Sequence, residues 1–271
     1  MSEPVKVHSS VKVHSSVKVH SVAEGPADGP VVVFSGSLGS DHRMWEPQVK
    51  PLAEQGFRVI RYDSRGHGAS PVPPGPYTLA DLGGDLLALL DEHGAERAHV
   101  VGLSLGGMTG MWLGVNAPDR IVSLVLCCTS AKLGPPSMWA DRAKTVREKG
   151  TAAVAEAGVG RWLTAGHAAA HPERAGYLRE MIASVPAEGY ASSCQAIERM
   201  DLVGDLPKIA ARTLVIAGAE DPATPVEHAE VIAGGIPDAR LEVVEGAAHL
   251  GSFEQPERFT ALILEHLEAV R

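Results

Sequence analysis

The sequence contains no apolar run approaching the ~18 residues that a membrane-spanning helix needs. Its N-terminus carries Lys and His where a secretory leader would place its apolar region, so the expected location is cytoplasmic. Cysteine is scarce. Of three residues, Cys127 and Cys128 are adjacent and Cys194 is distant, which excludes a disulfide framework. There is no basic excess either: 24 Lys and Arg stand against 33 Asp and Glu, a formal net charge of -9, whereas a nucleic-acid binder needs a basic face. An anionic small substrate remains compatible, because a local arginine outweighs a diffuse acidic surface at short range. What is present is 271 residues with 45% hydrophobic content, enough for one large core, or one core with a small insert.

The chain opens on a repeat. Val-Lys-Val-His-Ser-Ser occupies 5–10 and 11–16, and a third copy at 17–22 ends in Val22. Alternating Val and polar residues read as strand, and an even period of six gives every copy the same inward face. The segment 1–22 is read as a duplication without chemistry, with a His/Lys metal or anion site as the alternative.

After the turn Pro26-Ala27-Asp28-Gly29, strands and helices alternate. Buried-type strands are expected at 31–34, 57–62, from Val100 up to Ser104, 121–128, 212–218 and 241–244. Helices are expected at 43–55, from the Thr78/Asp81 capping box to Gly94, after Ser104, at 225–234 and at 256–269. Gly106, Gly110 and Gly114, four apart, give the helix after Ser104 a smooth face for close packing on a sheet. Between Ser130 and Asp205 strand signal is missing and the pattern is helical. The expected fold is therefore α/β: a mostly parallel central sheet with helices on both faces. Its core runs over 23–130 and 206–271, with a helical cap at 131–205.

In such a sheet reactive groups gather at the carboxyl ends of strands. Ser104 ends one strand inside Gly102-Leu103-Ser104-Leu105-Gly106, where glycines at minus two and plus two permit a sharp strand-to-helix turn. Asp221 follows the strand closing at Gly218, and His249 follows the one closing near Val244. Ser, Asp and His in this order suit a nucleophile, an orienting acid and a general base. The oxyanion would take backbone N–H groups of Leu105 and, from the loop Ser35-Gly36-Ser37-Leu38-Gly39, of Ser37. His67 is expected to brace loops around the site and not to act as the base. His167 and His171 have a zinc-type i, i+4 spacing, but the Glu of H-E-x-x-H is missing and Pro172 follows, so no metal site is expected there.

These residues together resemble the α/β-hydrolase superfamily from about residue 25 onward. Within it the chain is most similar to 3-oxoadipate enol-lactonases of the β-ketoadipate pathway of aromatic catabolism. The likeness rests on Ser35 to Gly39, Arg61-Tyr62-Asp63-Ser64-Arg65-Gly66-His67-Gly68-Ala69-Ser70, Pro73-Pro74-Gly75-Pro76-Tyr77-Thr78-Leu79, Gly102 to Met108, and Ala248-His249-Leu250 with Glu254-Gln255-Pro256-Glu257-Arg258-Phe259. It implies a cofactor-free serine hydrolase that opens an enol-lactone through an acyl-enzyme. Those lactonases often carry Asn where this chain has Gly36. The expected partner is a small lactone or ester bearing a carboxylate, met by a cap arginine (Arg142, Arg147 or Arg161) beside apolar walls from Trp139 and Trp162. No nucleic acid, membrane, metal or other cofactor is expected, and homo-oligomerisation is left open. The competing readings are a general carboxylesterase or cofactor-free perhydrolase on the same triad, and a non-catalytic ligand-binding protein that retains the hydrolase shape.

Overall fold

The computed structural model describes residues 16–270. Its strands are β1 (Ser21–Glu24), β2 (Val31–Ser35), β3 (Arg58–Tyr62), β4 (Ala98–Leu103), β5 (Ile121–Cys127), β6 (Arg212–Gly218) and β7 (Ala239–Val244). They form one sheet in the order β1-β3-β2-β4-β5-β6-β7. Only β1 runs antiparallel, against β3; the other pairs are parallel. Every residue of β4 is buried, as expected for a central parallel strand covered on both faces.

The helices are α1 (Glu46–Glu54), α2 (Leu79–Glu92), α3 (Leu105–Asn116), α4 (Pro136–Lys149), α5 (Ala152–Trp162), α6 (Ala165–Ala170), α7 (Pro172–Ser184), α8 (Ala187–Arg199), α9 (Val226–Gly235), α10 (Gly251–Glu254) and α11 (Pro256–Glu268). α3 lies on β4 and β5, α11 on β5 and β6, and α9 on β6 and β7. Thr78 caps α2 as its spacing to Asp81 predicts: the Thr78 Oγ1 accepts from the Asp81 N–H, and the Asp81 carboxylate from the Thr78 N–H. The run α4 to α8 joins β5 to β6 without a strand. Among the described residues no helix is long and apolar enough to cross a membrane.

The third repeat differs in part from the strand expected over 17–22, since pairing begins only at Ser21. Its alternation nevertheless holds. Val19 is buried in the core and Val17 packs against it, while Lys18 and His20 are exposed. The Val17 N–H donates to buried Asp85 (2.8 Å), which anchors this copy. The first two copies lie outside the described residues, apart from Ser16.

At the end of β3, Asp63 ties three chain segments together. Its Oδ1 accepts from the His42 N–H (2.7 Å) and Nδ1–H (2.8 Å), and its Oδ2 from the Ala69 N–H (2.9 Å). Burial alone would raise the carboxyl pKa, but the hydrogen bonds from His42 and Ala69 outweigh burial and hold it below its ordinary value. A carboxyl depressed by folding contributes stability that is present above its unfolded pKa, about 4, and is lost as pH falls through the lower folded value. Asp63→Asn should therefore lower the melting temperature at neutral pH and converge on wild type once the pH has fallen through the depressed folded-state pKa. Thermal melts across pH check this; a deficit of constant size down to that pH would remove the carboxylate's charge from the account.

Candidate active site

The turn from β4 into α3 is the most constrained point of the backbone. Ser104 has φ 55° and ψ -113°, in the left-handed region that costs a non-glycine residue of order 1–2 kcal/mol. The turn is held by the Ser104 N–H on the Cys127 carbonyl (3.0 Å) and the Thr129 hydroxyl on the Ser104 carbonyl (2.7 Å). A Cβ at Gly102 would lie 2.3 Å from the Gly106 carbonyl oxygen, and one at Gly106 would lie 2.1 Å from that of Ser35. Both glycines are thus required by close approach of backbone to backbone. Gly110 is not, since a Cβ there would meet only ordinary contacts at 3.4 Å or more. Among the described residues the other non-glycine with positive φ is Cys128, at 42°. Its thiol points to the carbonyl of Ala248 (3.8 Å), next to His249, so both strained residues adjoin one site.

Asp221 and His249 meet as their strand ends require. His249 Nδ1 donates to Asp221 Oδ2 (2.8 Å), which leaves Nε2 as the unprotonated nitrogen of a neutral ring. Asp221 Oδ2 also accepts from the Thr224 hydroxyl (2.7 Å), and Oδ1 accepts from the N–H groups of Ala223 (2.7 Å) and Thr224 (3.0 Å). Burial opposes ionisation of Asp221, but the adjacent His249 and the donated hydrogen bonds prevail, and its pKa lies below the ordinary carboxyl value. Thr224 had not been singled out from the sequence. The available signal was Asp221-Pro222-Ala223-Thr224 directly after a strand, a turn in which Thr can cap the Asp.

Ser104 and His249 open onto one cavity of about 190 Å³, also lined by Ser37, Leu38, Trp139, Arg142, Arg161 and Trp162. Arg142 lies over the Trp139 ring (4.8 Å to its centroid) and Arg161 is beside it. Among the described residues neither is paired with a carboxylate. Burial first, and the Arg142 charge second, lower the pKa of Arg161, although a guanidinium stays protonated. Arg147 is elsewhere, in a bidentate pair with Glu188 (2.9 Å for each bond) and away from the cavity. Tyr190 closes the wall, its hydroxyl pushed up to about 12 by burial.

The oxyanion loop differs in detail from expectation. Leu105 begins α3, so its N–H is a free helix-start donor. The Ser37 N–H, however, is directed at Met44 Sδ (3.3 Å), a weak acceptor that also receives the Ser40 hydroxyl (2.9 Å). That sulfur and hydroxyl fill the space beside Gly36, where a Cβ would fall 3.1 Å and 2.8 Å from them. His67 braces the same loop. Its Nε2 accepts from the Gly39 N–H (3.1 Å), its Nδ1 donates to the Arg65 carbonyl (3.2 Å), and burial lowers its pKa, keeping it neutral.

His167 and His171 lie ring against ring in the α6 region, tilted by 44° with centroids 4.6 Å apart. Among the described residues one group, His20, His42 and Asp63, could offer three ligands. Asp63 there is already committed to His42 and Ala69, a bracing role.

Comparison with known proteins follows the same lines. The sequence profile of the alpha/beta hydrolase fold matches residues 29–256. The chain is 41% identical over 235 residues, 87% of its own length and of the relative's, to 3-oxoadipate enol-lactonase 2 of Acinetobacter baylyi. The crystal structure of the enol-lactonase from Burkholderia xenovorans LB400 is 39% identical, with a TM-score of 0.90 over 92% of this chain and 96% of that one. A thermophilic esterase from Thermogutta terrifontis, solved with malate bound, is 33% identical with a TM-score of 0.88 over 93% of each chain.

Proposed function

The chain belongs to the alpha/beta hydrolase family and is a hydrolase of the carboxylic-ester class, and on that premise we propose that it opens the ring of a small enol-lactone bearing a carboxylate, 3-oxoadipate enol-lactone first. In this reading helices α4 to α8, within 131–205, act as the cap that selects the substrate, over a core formed by 23–130 and 206–271. Ser104 attacks the ring carbonyl while His249 Nε2 takes its proton. Asp221 fixes the His249 tautomer through the Nδ1 hydrogen bond and stabilises the imidazolium that forms. The Leu105 N–H binds the developing oxyanion, joined by a donor from the 37–38 loop; for Ser37 this means giving up Met44. Collapse of the tetrahedral intermediate breaks the acyl C–O bond, and His249 returns the proton to the departing enol oxygen. That enol becomes a ketone, which removes the ring-closing nucleophile. Water, deprotonated by His249, then frees the acid from Ser104.

The observation that carries the substrate class is the pair Arg142 and Arg161 in the cavity beside the nucleophile. Two half-buried like charges facing one cavity without a carboxylate partner repel each other, and an anion between them relieves that repulsion. A substrate carboxylate supplies one, and it holds the lactone in the same cavity that Ser104 lines.

Arg161→Ala and Arg142→Ala should each lower kcat/KM for the enol-lactone about 30- to 150-fold, mostly through KM, as expected for loss of a charge-assisted hydrogen bond. The double variant should lose more than either, because each single change also relieves repulsion on the arginine that remains. Turnover of a neutral aryl acetate should stay within about threefold of wild type. Equal losses on both substrates would favour the second reading, a general carboxylesterase, toward which the Thermogutta relative points.

A further inference from the structure

Glu254 is outside the cavity lining, yet its carboxylate is buried, 1% exposed, at the junction of three chain segments. It sits at the end of α10. Its Oε2 accepts from the N–H of Ala248 (2.8 Å), the residue before His249. Its Oε1 accepts from the N–H (3.0 Å) and hydroxyl (2.6 Å) of Thr164, which caps α6 just beyond α5. The same two segments are also joined through the backbone. The Leu250 N–H donates to the Trp162 carbonyl (2.8 Å), and the His249 N–H to that of Arg161 (3.4 Å). The turn carrying His249 is thus hydrogen-bonded to the helix end carrying Arg161, and one carboxylate bridges the two from behind.

We propose that Glu254 is a positioning residue that mounts the general base and the substrate-binding Arg161 as one rigid unit, so that anchoring the substrate carboxylate also sets the reacting carbonyl against His249. The proposal rests on the reading of the site given above. Its chemistry is one-sided. All three contacts on the carboxylate are donors, and acceptor oxygens are what a carboxylate offers. An amide in its place must turn an NH2 group toward either the Ala248 N–H or the Thr164 N–H, breaking one half of the bridge. His167 Nδ1, 4.0 Å from Oε1, is the adjoining titratable group; on the facing segments the titratable groups are Arg161 and His249 themselves.

A double-mutant cycle separates positioning from mere structural support, with Glu254→Gln, Arg161→Ala and their combination assayed on the enol-lactone. Glu254→Gln should lower kcat/KM about 30-fold in the wild-type background and only about fivefold or less in Arg161→Ala, while its effect on melting temperature is the same in both. Equal losses in the two backgrounds would overturn the proposal and leave Glu254 a structural residue. If Glu254→Gln does not fold, Thr164→Val, which removes the hydroxyl donor on the cap side alone, replaces it in the same cycle under the same criterion. Ser104→Ala runs in parallel. Turnover retained there removes the reading of the site and this proposal with it, whereas turnover lost there together with additive effects in the cycle removes this proposal alone.

Discussion

Ser104→Ala should lower kcat by at least about 10⁴-fold, toward the loss of order 10⁶ seen when a triad nucleophile is deleted, with substrate binding nearly intact. The loss is that large because in the proposed mechanism the hydroxyl oxygen is the atom that forms the acyl-enzyme. Folding should be little affected, since alanine and serine suffer alike at φ 55°. Ser104→Gly separates the two roles of the position. It should be equally inactive yet more stable than Ser104→Ala, by about 1 kcal/mol, because glycine adopts a left-handed conformation without a Cβ penalty. Pre-steady-state turnover and calorimetric melts check both. An alanine variant with ordinary turnover would move the chemistry away from the elbow.

The second large effect is expected from Asp221→Asn, a drop in kcat of order 10⁴. The direction of the amide is dictated by its surroundings. Oδ1 faces two backbone N–H groups, those of Ala223 and Thr224, so the oxygen must stay there and the NH2 takes the Oδ2 position against His249 Nδ1. His249 then has to accept at Nδ1 and carry its proton on Nε2, where it cannot receive one from Ser104. The ring remains in place but in the wrong tautomer. Structure determination of the variant should show an unmoved imidazole, and a kcat within about tenfold of wild type would exclude Asp221 as the orienting group.

The two effects draw on information that is unevenly legible in the chain. The elbow reads directly from sequence, because its demand for glycine at 102 and 106 is made by neighbouring backbone. The strand ends of Asp221 and His249 follow from the alternation of elements. The arginines required coordinates. Arg142 and Arg147 share α4 five residues apart, about 140° around a helix of 3.6 residues per turn, so they point to different surroundings. Nothing in their spacing says that Glu188, on α8, takes the second and leaves the first in the cavity. Glu254 was opaque for a related reason: its partners Ala248 and Thr164 are 6 and 90 residues away. The engagement of the Ser37 N–H by Met44 depends on a flexible thioether that no pattern orients. The packing of the third repeat was not legible either, since its near-identity to the other two says nothing of its continuity with β1 or its bond to Asp85.

The contact of Gly106 with the Ser35 backbone also bears on how this enzyme can change. A side chain at 106 would run into the Ser35 backbone and one at 102 into that of Gly106, so substitution at 102 or 106 would disturb the proposed nucleophile turn and the proposed oxyanion loop together. Much of the remaining cavity lining belongs to α4, α5 and α8, through Trp139, Arg142, Arg161, Trp162 and Tyr190. New substrate ranges are therefore accessible by substitution along those helices at unchanged chemistry. A library confined to cavity-facing positions of α4, α5 and α8 should yield active variants far more often than one of equal size at the elbow.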